Sequence, residues 1–259
     1  MLGYVKSSIT HYSSGSASSK RLSNGKKNVA VVAAMPVELA PLLDGVKSEA
    51  VNGVDLFDLP RAVIAVGGIG EKFARHAAEG AMEQAQPKTL ISAGIVGAIS
   101  AGLKVGDVGR IREVVDVATG ERYPTTGGGE WLLATSQDVS DAAEKHELLA
   151  RFGADVVDME AAAVAQVAKE RGVEFQCIKA ISDDAAFDMP PMNRFIEQGS
   201  FDARRFLIYV ALHPRWWGTL GKIKRNSEIA TVNLCREVEQ LIESSDEWIV
   251  AKRGRVNSG

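Results

Sequence analysis

The sequence predicts an α/β fold built on a largely parallel sheet, and three observations carry that prediction. Short apolar, β-branched runs recur at 28–34, 62–66, 89–93 and 175–181. Helix-patterned segments alternate with them, as expected when strands are joined by crossover helices. No internal repeat and no linker-like stretch interrupts residues 28–243. The alternation therefore belongs to one domain.

The elements follow in order. NVAVVAA (28–34) lacks polar alternation, as does a strand covered on both faces. In MPVELAPLLDG, Pro36 suits a first helical turn and Gly45 a stop. AVIAV (62–66) runs into the loop Gly67-Gly68-Ile69-Gly70. A helix is predicted from Glu71 to Ala85, with Phe73, Ala77 and Ala81 on one face. Pro87 precedes the strand TLISA (89–93), which leads into a second glycine loop, Gly94-Ile95-Val96-Gly97. Residues 107–117 and 131–135 read as strands, with a surface excursion, ATGERYPTTGGGE, between them. A helix over 142–152 ends before Gly153. ADVVDME reads as a strand ending in acids, and EAAAVAQVAKER as a helix stopped by Gly172, with Val164, Val167 and Ala168 on one stripe. FQCIKAI (175–181) ends in Ser182-Asp183-Asp184. After a Pro-Pro turn come helices over 201–212 and 227–243, the last with Leu234, Val238, Leu241 and Ile242 on one side.

Composition excludes several classes. The chain of 259 residues is 46% hydrophobic and 24% charged, which is globular composition. No apolar run approaches the roughly 18 residues of a membrane span. A net charge of −3 argues against a dedicated nucleic-acid binder, which needs clustered positive charge. Cys177 and Cys235 are the only cysteines, so a disulfide scaffold is excluded and a reducing cytoplasm is the expected compartment. Residues 1–27 hold five basic side chains, eight serines and no acid. They are expected to form a disordered arm or leader, ahead of a domain over 28–245 and a flexible tail over 246–259.

Ligands of open α/β sheets sit beyond the carboxyl ends of the strands. Three acids fall at such ends: Glu38, Glu160 and Asp183. Carboxylates meeting in one cleft can do acid–base work. Each also has a purely structural reading: Glu38 and Glu160 as first-turn acids favoured by the helix dipole, Asp183 as an N-cap. The glycine loops lack the spacing of dinucleotide and phosphate loops. No H-E-x-x-H and no C-x-x-C occurs, so no metal site is expected. The four histidines are scattered, Cys177 reads as a small core residue, and no G-x-S-x-G elbow is present.

Five motifs carry a resemblance. VAVVAAMPVELAPLL, VGGIGEKFARHAAEGA, PKTLISAGIVGAISAGLKVGDV, VVDMEAAAVAQVAKERGV and IKAISDDA follow one another between about residues 28 and 185. Together they resemble the purine nucleoside phosphorylase / methylthioadenosine–S-adenosylhomocysteine nucleosidase superfamily. The downstream stretch from Pro190 to Trp217 resembles its hopanoid-associated branch. The resemblance implies a three-layer αβα sandwich with a twisted mixed sheet, a homo-oligomer, and cleavage of an N-glycosidic bond without a cofactor. Phosphate would enter only as the co-substrate of a phosphorylase. It further implies that Asp183, accompanied by Ser182, protonates purine N7. Glu160 and Met159 match the ribose-binding pair, and Glu38 matches the carboxylate that activates water. Gly94, Ile95 and Gly97 match the loop near the nucleophile. These roles suit the chemistry: the bond breaks toward a ribosyl cation, and a purine leaves poorly unless it is protonated.

The nucleophile separates two activities. A phosphorylase holds phosphate with arginines and backbone donors. Here Ser92 and Ile95 stand where the related phosphorylases have an arginine and a serine, and the first loop offers Glu38 and no cation. Hydrolysis of a 5′-modified adenosine, with release of adenine, is the expectation. Phosphorolysis is the alternative, with Arg75, Arg110 or Arg112, from this chain or a neighbouring subunit, as the candidate cations. A non-catalytic nucleoside-binding protein is the reading from another class. Two departures bear on the base: Lys179 stands where the nucleosidases have an arginine, and Val139 where they have a stacking aromatic. Phe187, Met189, Met192, Phe195, Phe201, Phe206, Trp216 and Trp217 either receive an apolar 5′-group or pack helices and subunit interfaces. Trp216-Trp217, beside Arg215, Lys222 and Lys224, also suit peripheral contact with a membrane surface.

Overall fold

The computed structural model describes residues 27–256 except Asp188, with side chains through Ser244. Of the expected arm over 1–27, residues 1–26 lie outside the described residues, as does the end of the expected tail, 257–259. Lys27 belongs with the domain. It is buried, donates to the carbonyls of Leu59 and Pro60 and lies 3.2 Å from Asp58 Oδ1.

The chain opens with β1 (Val29–Ala33), a 3-10 turn (Pro36–Leu39) and the single helical turn α1 (Ala40–Leu43). A hairpin follows, β2 (Ser48–Val51) and β3 (Val54–Asp58), then β4 (Ala62–Val66) and α2 (Glu71–Ala85). The next strands are β5 (Thr89–Ala98), β6 (Val108–Asp116), β7 (Arg122–Pro124) and β8 (Trp131–Thr135). After α3 (Ala142–Phe152) come β9 (Val156–Asp158), α4 (Ala161–Arg171) and β10 (Glu174–Asp183). A small hairpin of β11 (Ile196–Glu197) and β12 (Ser200–Phe201) precedes α5 (Ala203–Leu212) and α6 (Trp217–Val256).

The ten long-sheet strands form one mixed sheet in the order β10-β6-β8-β9-β5-β1-β4-β3-β2, with β7 on β6. The β4, β1, β5 and β10 pairings are parallel. Because β10 pairs both β6 and β5, the strands β5, β10, β6, β8 and β9 close into a ring. Side chains of β1 alternate between two cores. Ala30 and Val32 pack toward the alanine faces of α2 and α4, while Val29, Val31 and Ala33 pack toward Leu234, Val238 and Leu241 of α6. This is the expected three-layer αβα arrangement. Alanine on the facing sides of α2 and α4 lets both helices lie close to the sheet.

Three expected elements change and one hairpin is new. The second glycine loop does not exist, because Gly94 and Gly97 lie within β5. These glycines make room for charged neighbours: a Cβ on Gly94 would lie 3.0 Å from Glu38 Oε1, and one on Gly97 2.9 Å from Asp183 Oδ2. The β2–β3 hairpin was not expected, although Asn52-Gly53, both at positive φ, is the dipeptide that favours a tight hairpin turn. Part of the expected excursion after β6 pairs back as β7. Finally, α6 starts ten residues early and continues into the expected tail, through Val256. Its first turns hold Gly218, Gly221 and exposed Lys222, Lys224 and Arg225, so the buried stripe begins only at Ala230.

Candidate active site

A cavity of about 370 Å³ opens at the carboxyl ends of β1, β5, β9 and β10, and Glu38, Glu160 and Asp183 all line it. Met159, Ser182, Ile95, Gly97 and Val139 line it too. Gly94 and Lys179 instead line a small pocket of about 10 Å³ that Glu38 and Glu160 also border.

Glu38 is held by the turn that follows β1. Its Oε2 accepts from the backbone N–H groups of Ala34 at 3.0 Å and Met35 at 2.9 Å. Its Oε1 accepts from the Ile95 N–H at 3.2 Å, which ties the turn to β5. Burial raises its pKa above the ordinary carboxylate range, and the three backbone donors and Lys179 only partly offset this. The first-turn reading is thus half right: Glu38 caps its own turn and also reaches the next strand.

Glu160 stands at the start of α4 but makes no side-chain cap. Its Oε1 accepts from the Gly70 N–H at 2.8 Å, across the mouth of the first glycine loop. Gly70 has φ 96°, so glycine there lets the loop turn its N–H toward the carboxylate. Burial pushes the Glu160 pKa up to about 8, and repulsion from Asp158 and Glu38 adds to this, against the pull of Lys179 and Gly70.

Behind the two glutamates lies a buried ion pair that the sequence reading did not assemble. Lys179 Nζ is 2.8 Å from Asp158 Oδ2 and donates to Ser92 Oγ at 3.1 Å. Burial pulls the Lys179 pKa down, but Asp158, Cys177 and Glu160 more than offset that and leave it raised. Asp158 also accepts from Thr135 Oγ1 and from the Ala161 N–H at the start of α4. Cys177, two residues before Lys179 on β10, is a buried thiol whose pKa burial pushes up to about 12.

Asp183 caps no helix. Its Oδ2 is 2.5 Å from Lys145 Nζ, and its Oδ1 is 2.8 Å from Ser182 Oγ. Lys145 sits on α3, buried beside Leu148, and also lines the cavity. It was not among the expected residues, yet a lysine three residues before Leu148 and seven before Phe152, on the inward stripe, is a readable signal.

The aromatic segment splits between its two readings. Met189, Met192, Ile196 and Phe201 line the cavity. Phe195, Phe206 and Trp216 form a small core with Val210, and Phe195 and Phe206 meet edge-on at 5.4 Å. Of the tryptophan pair expected at a surface, Trp216 is buried and only Trp217 is exposed. Among the described residues no helix is long and apolar enough to cross a membrane.

The candidate phosphate cations lie elsewhere. Arg75 pairs with Glu79 and Glu170 at the surface, and Arg112 with Asp155. Arg110 lines a separate recess with Thr126 and Gln176. Among the described residues no arginine lines the acidic cavity.

A mixed sheet sandwiched by helices, with a carboxylate-lined cavity at its strand ends, defines an α/β enzyme fold. The family model of the phosphorylase superfamily matches residues 28–134 and 131–205. The chain belongs to that superfamily, as the sequence motifs implied. No curated protein matches it significantly. Solved structures share the fold at low identity. The 5′-methylthioadenosine/S-adenosylhomocysteine nucleosidase of Neisseria meningitidis, in complex with methylthio-immucillin-A, is 22% identical. That match covers 84% of this chain and 99% of the other, with a TM-score of 0.64. The Arabidopsis thaliana 5′-methylthioadenosine nucleosidase is 17% identical, over 85% and 96% of the two chains, with a TM-score of 0.65. The futalosine hydrolase of Helicobacter pylori strain 26695 is 19% identical, over 61% and 88%, with a TM-score of 0.55.

Proposed function

We propose that the chain hydrolyses the N-glycosidic bond of a purine nucleoside carrying an apolar 5′-substituent, with adenine as the first base to test. The observation that carries this reading is the meeting of Glu38, Glu160 and Asp183, from three distant parts of the chain, on the wall of one cavity. Its volume is of the size that takes small organic ligands, about 300–1,000 Å³.

On this reading the sugar lies against Glu160 and Met159, the base against Asp183 and Val139, and the attacking water against Glu38. The bond from C1′ to N9 breaks with its electron pair moving into the purine, and positive charge builds on the ribosyl ring. Carboxylates already fixed by backbone donors stabilise that charge without reorganising. Glu38, with a pKa lifted by burial, is suited to accept the proton of the attacking water. Glu38 supports water over phosphate as the nucleophile, because a carboxylate at that place repels a phosphate and accepts a proton from water. The methionines, Ile196 and Phe201 supply an apolar wall for the 5′-group.

A product assay by chromatography tests the proposal. Methylthioadenosine, S-adenosylhomocysteine, adenosine and inosine are each incubated with and without phosphate. Free base without phosphate, lost in Glu38→Gln, is the expected result. Turnover only with phosphate, yielding ribose 1-phosphate, overturns hydrolysis. Binding by calorimetry with no product after long incubation overturns catalysis itself.

A further inference from the structure

We propose that Lys145 is the proton source for the departing base, acting as a couple with Asp183. The inference rests on the reading of this cavity as a nucleosidase site and assigns a role within it. The sequence motifs point to Asp183 alone as the acid. The geometry gives the proton to its partner.

Both oxygens of Asp183 are engaged as acceptors. Oδ2 meets the Lys145 ammonium at 2.5 Å and Oδ1 meets Ser182 Oγ at 2.8 Å. Lys145 Nζ donates also to the Asp184 carbonyl at 3.2 Å. An ammonium has three N–H groups, and these two acceptors use two of them. Among the described residues the third meets no acceptor and is left for a ligand, and Lys145 lines the cavity. In this pairing the lysine nitrogen is the donor and the carboxylate the acceptor, so the donor that reaches the cavity wall is on nitrogen.

The surroundings are built for the pair. Its side chains are 4% and 8% exposed. A buried pair of this kind adds little net stability over an apolar pair of similar volume, so packing alone does not explain a lysine on the inward stripe of α3. Gly97 faces the pair, and a Cβ there would lie 3.1 Å from Lys145 Nζ. Only glycine leaves both the pair and the cavity wall in place.

The proposed step balances. As the C1′–N9 pair moves into the purine, a Lys145 N–H bond breaks and an N7–H bond forms, leaving a neutral amine beside the Asp183 carboxylate. Water adds to C1′ and gives its proton to Glu38. After release of base and sugar, Glu38 returns that proton through solvent to Lys145, and the site is reset. Asp183 holds Lys145 in place and remains its hydrogen-bond acceptor.

The test compares two leaving groups. A purine nucleoside needs the proton; a 4-nitrophenyl riboside, whose phenolate leaves unaided, does not. Lys145→Met removes the donor at similar length. Lys145→Arg keeps the charge beside Asp183, and with it the fold, but a guanidinium does not give up a proton. Both variants are expected to lose about 10²- to 10⁴-fold in kcat on the purine nucleoside. Their loss on the nitrophenyl riboside is expected to stay under about tenfold. Purine release by folded Lys145→Arg within about threefold of the parent chain overturns the proposal, while hydrolysis by the parent chain still stands. Equal loss on both substrates also overturns it and makes the residue structural. A parent chain that releases base from no nucleoside overturns this proposal and the nucleosidase reading together.

Discussion

Replacing Lys179 by methionine isolates the charge that underlies the two glutamates. The Lys179–Asp158 pair is 2.8 Å long, and its side chains are 2% and 1% exposed. Methionine keeps the length of the side chain but leaves the Asp158 charge buried without its cation. Breaking a buried pair from one side costs about 3–5 kcal/mol, because the remaining charge is uncompensated. For a domain of this size each kcal/mol lowers Tm by about 2–4 °C, so the expected drop is roughly 6–20 °C. The double variant Lys179→Met/Asp158→Asn removes both charges of the pair, and the asparagine still accepts from Thr135 and Ala161. It should recover at least half of the loss. The assay is thermal unfolding followed by calorimetry at one protein concentration. A single-variant drop below about 3 °C, or a double variant no more stable than the single, refutes the argument that this pair is a compensated buried charge.

Glu160→Gln should change how stability depends on pH. The folded pKa of about 8 lies above the unfolded carboxylate value, so between about pH 5 and 8 the folded state binds more protons than the unfolded one. Stability contributed by neutral Glu160 is fully present below the unfolded pKa and is lost as pH rises through about 8. Urea unfolding should therefore show the parent chain losing stability from pH 5 to 8.5, and Glu160→Gln losing less; parallel curves contradict the assignment. Gly97→Ala places a Cβ 2.9 Å from Asp183 Oδ2 and 3.1 Å from Lys145 Nζ. It should destabilise by about 1–3 kcal/mol through overpacking and lower kcat more than it raises KM. An unchanged kcat would show that the Lys145–Asp183 pair can shift freely.

Much of this was legible in the residues, for reasons that also explain the gaps. The strands that form the centre, β1, β4, β5 and β10, are covered on both faces, and such strands read as continuous apolar runs. The hairpin strand β2 is almost wholly exposed and has no apolar run to announce it. The ring closure through β10 and β5 left no local mark, because it depends on which strands meet and not on what each contains. Glycine misled in one place: Gly94 and Gly97 suggested a turn, while their purpose is to let Glu38, Asp183 and Lys145 approach a strand. The three acids were found because strand ends are where ligands bind. Lys145 and Asp158 escaped notice because a single lysine or aspartate has no pattern of its own; only the partner 38 residues away, or 21, gives it meaning.

The pairing of charges around the cavity divides the carboxylates into two kinds. Asp158 and Asp183 each have a buried lysine within ion-pair distance. Among the described residues Glu38 and Glu160 make no such pair, and they are held by backbone N–H groups. The consequence is electrostatic. An aspartate bound to its own lysine is a fixed, nearly neutral unit, while a glutamate held only by amides keeps its charge available to a ligand. It also carries the cost of burial, and both glutamates are the groups whose pKa burial raises. A cation forming between them would relieve that cost, because its charge offsets their desolvation and mutual repulsion. A neutral sugar ring would not. The cavity should therefore bind a cationic ring mimic of the ribosyl transition state more tightly than the parent nucleoside. Above about pH 8, where Glu160 is ionised, the preference should shrink in Glu160→Gln, which removes one of these charges. Titration of the parent chain and of Glu160→Gln with a protonated pyrrolidine analogue and with the neutral nucleoside measures it, and equal affinities in the parent chain would contradict this division of charge.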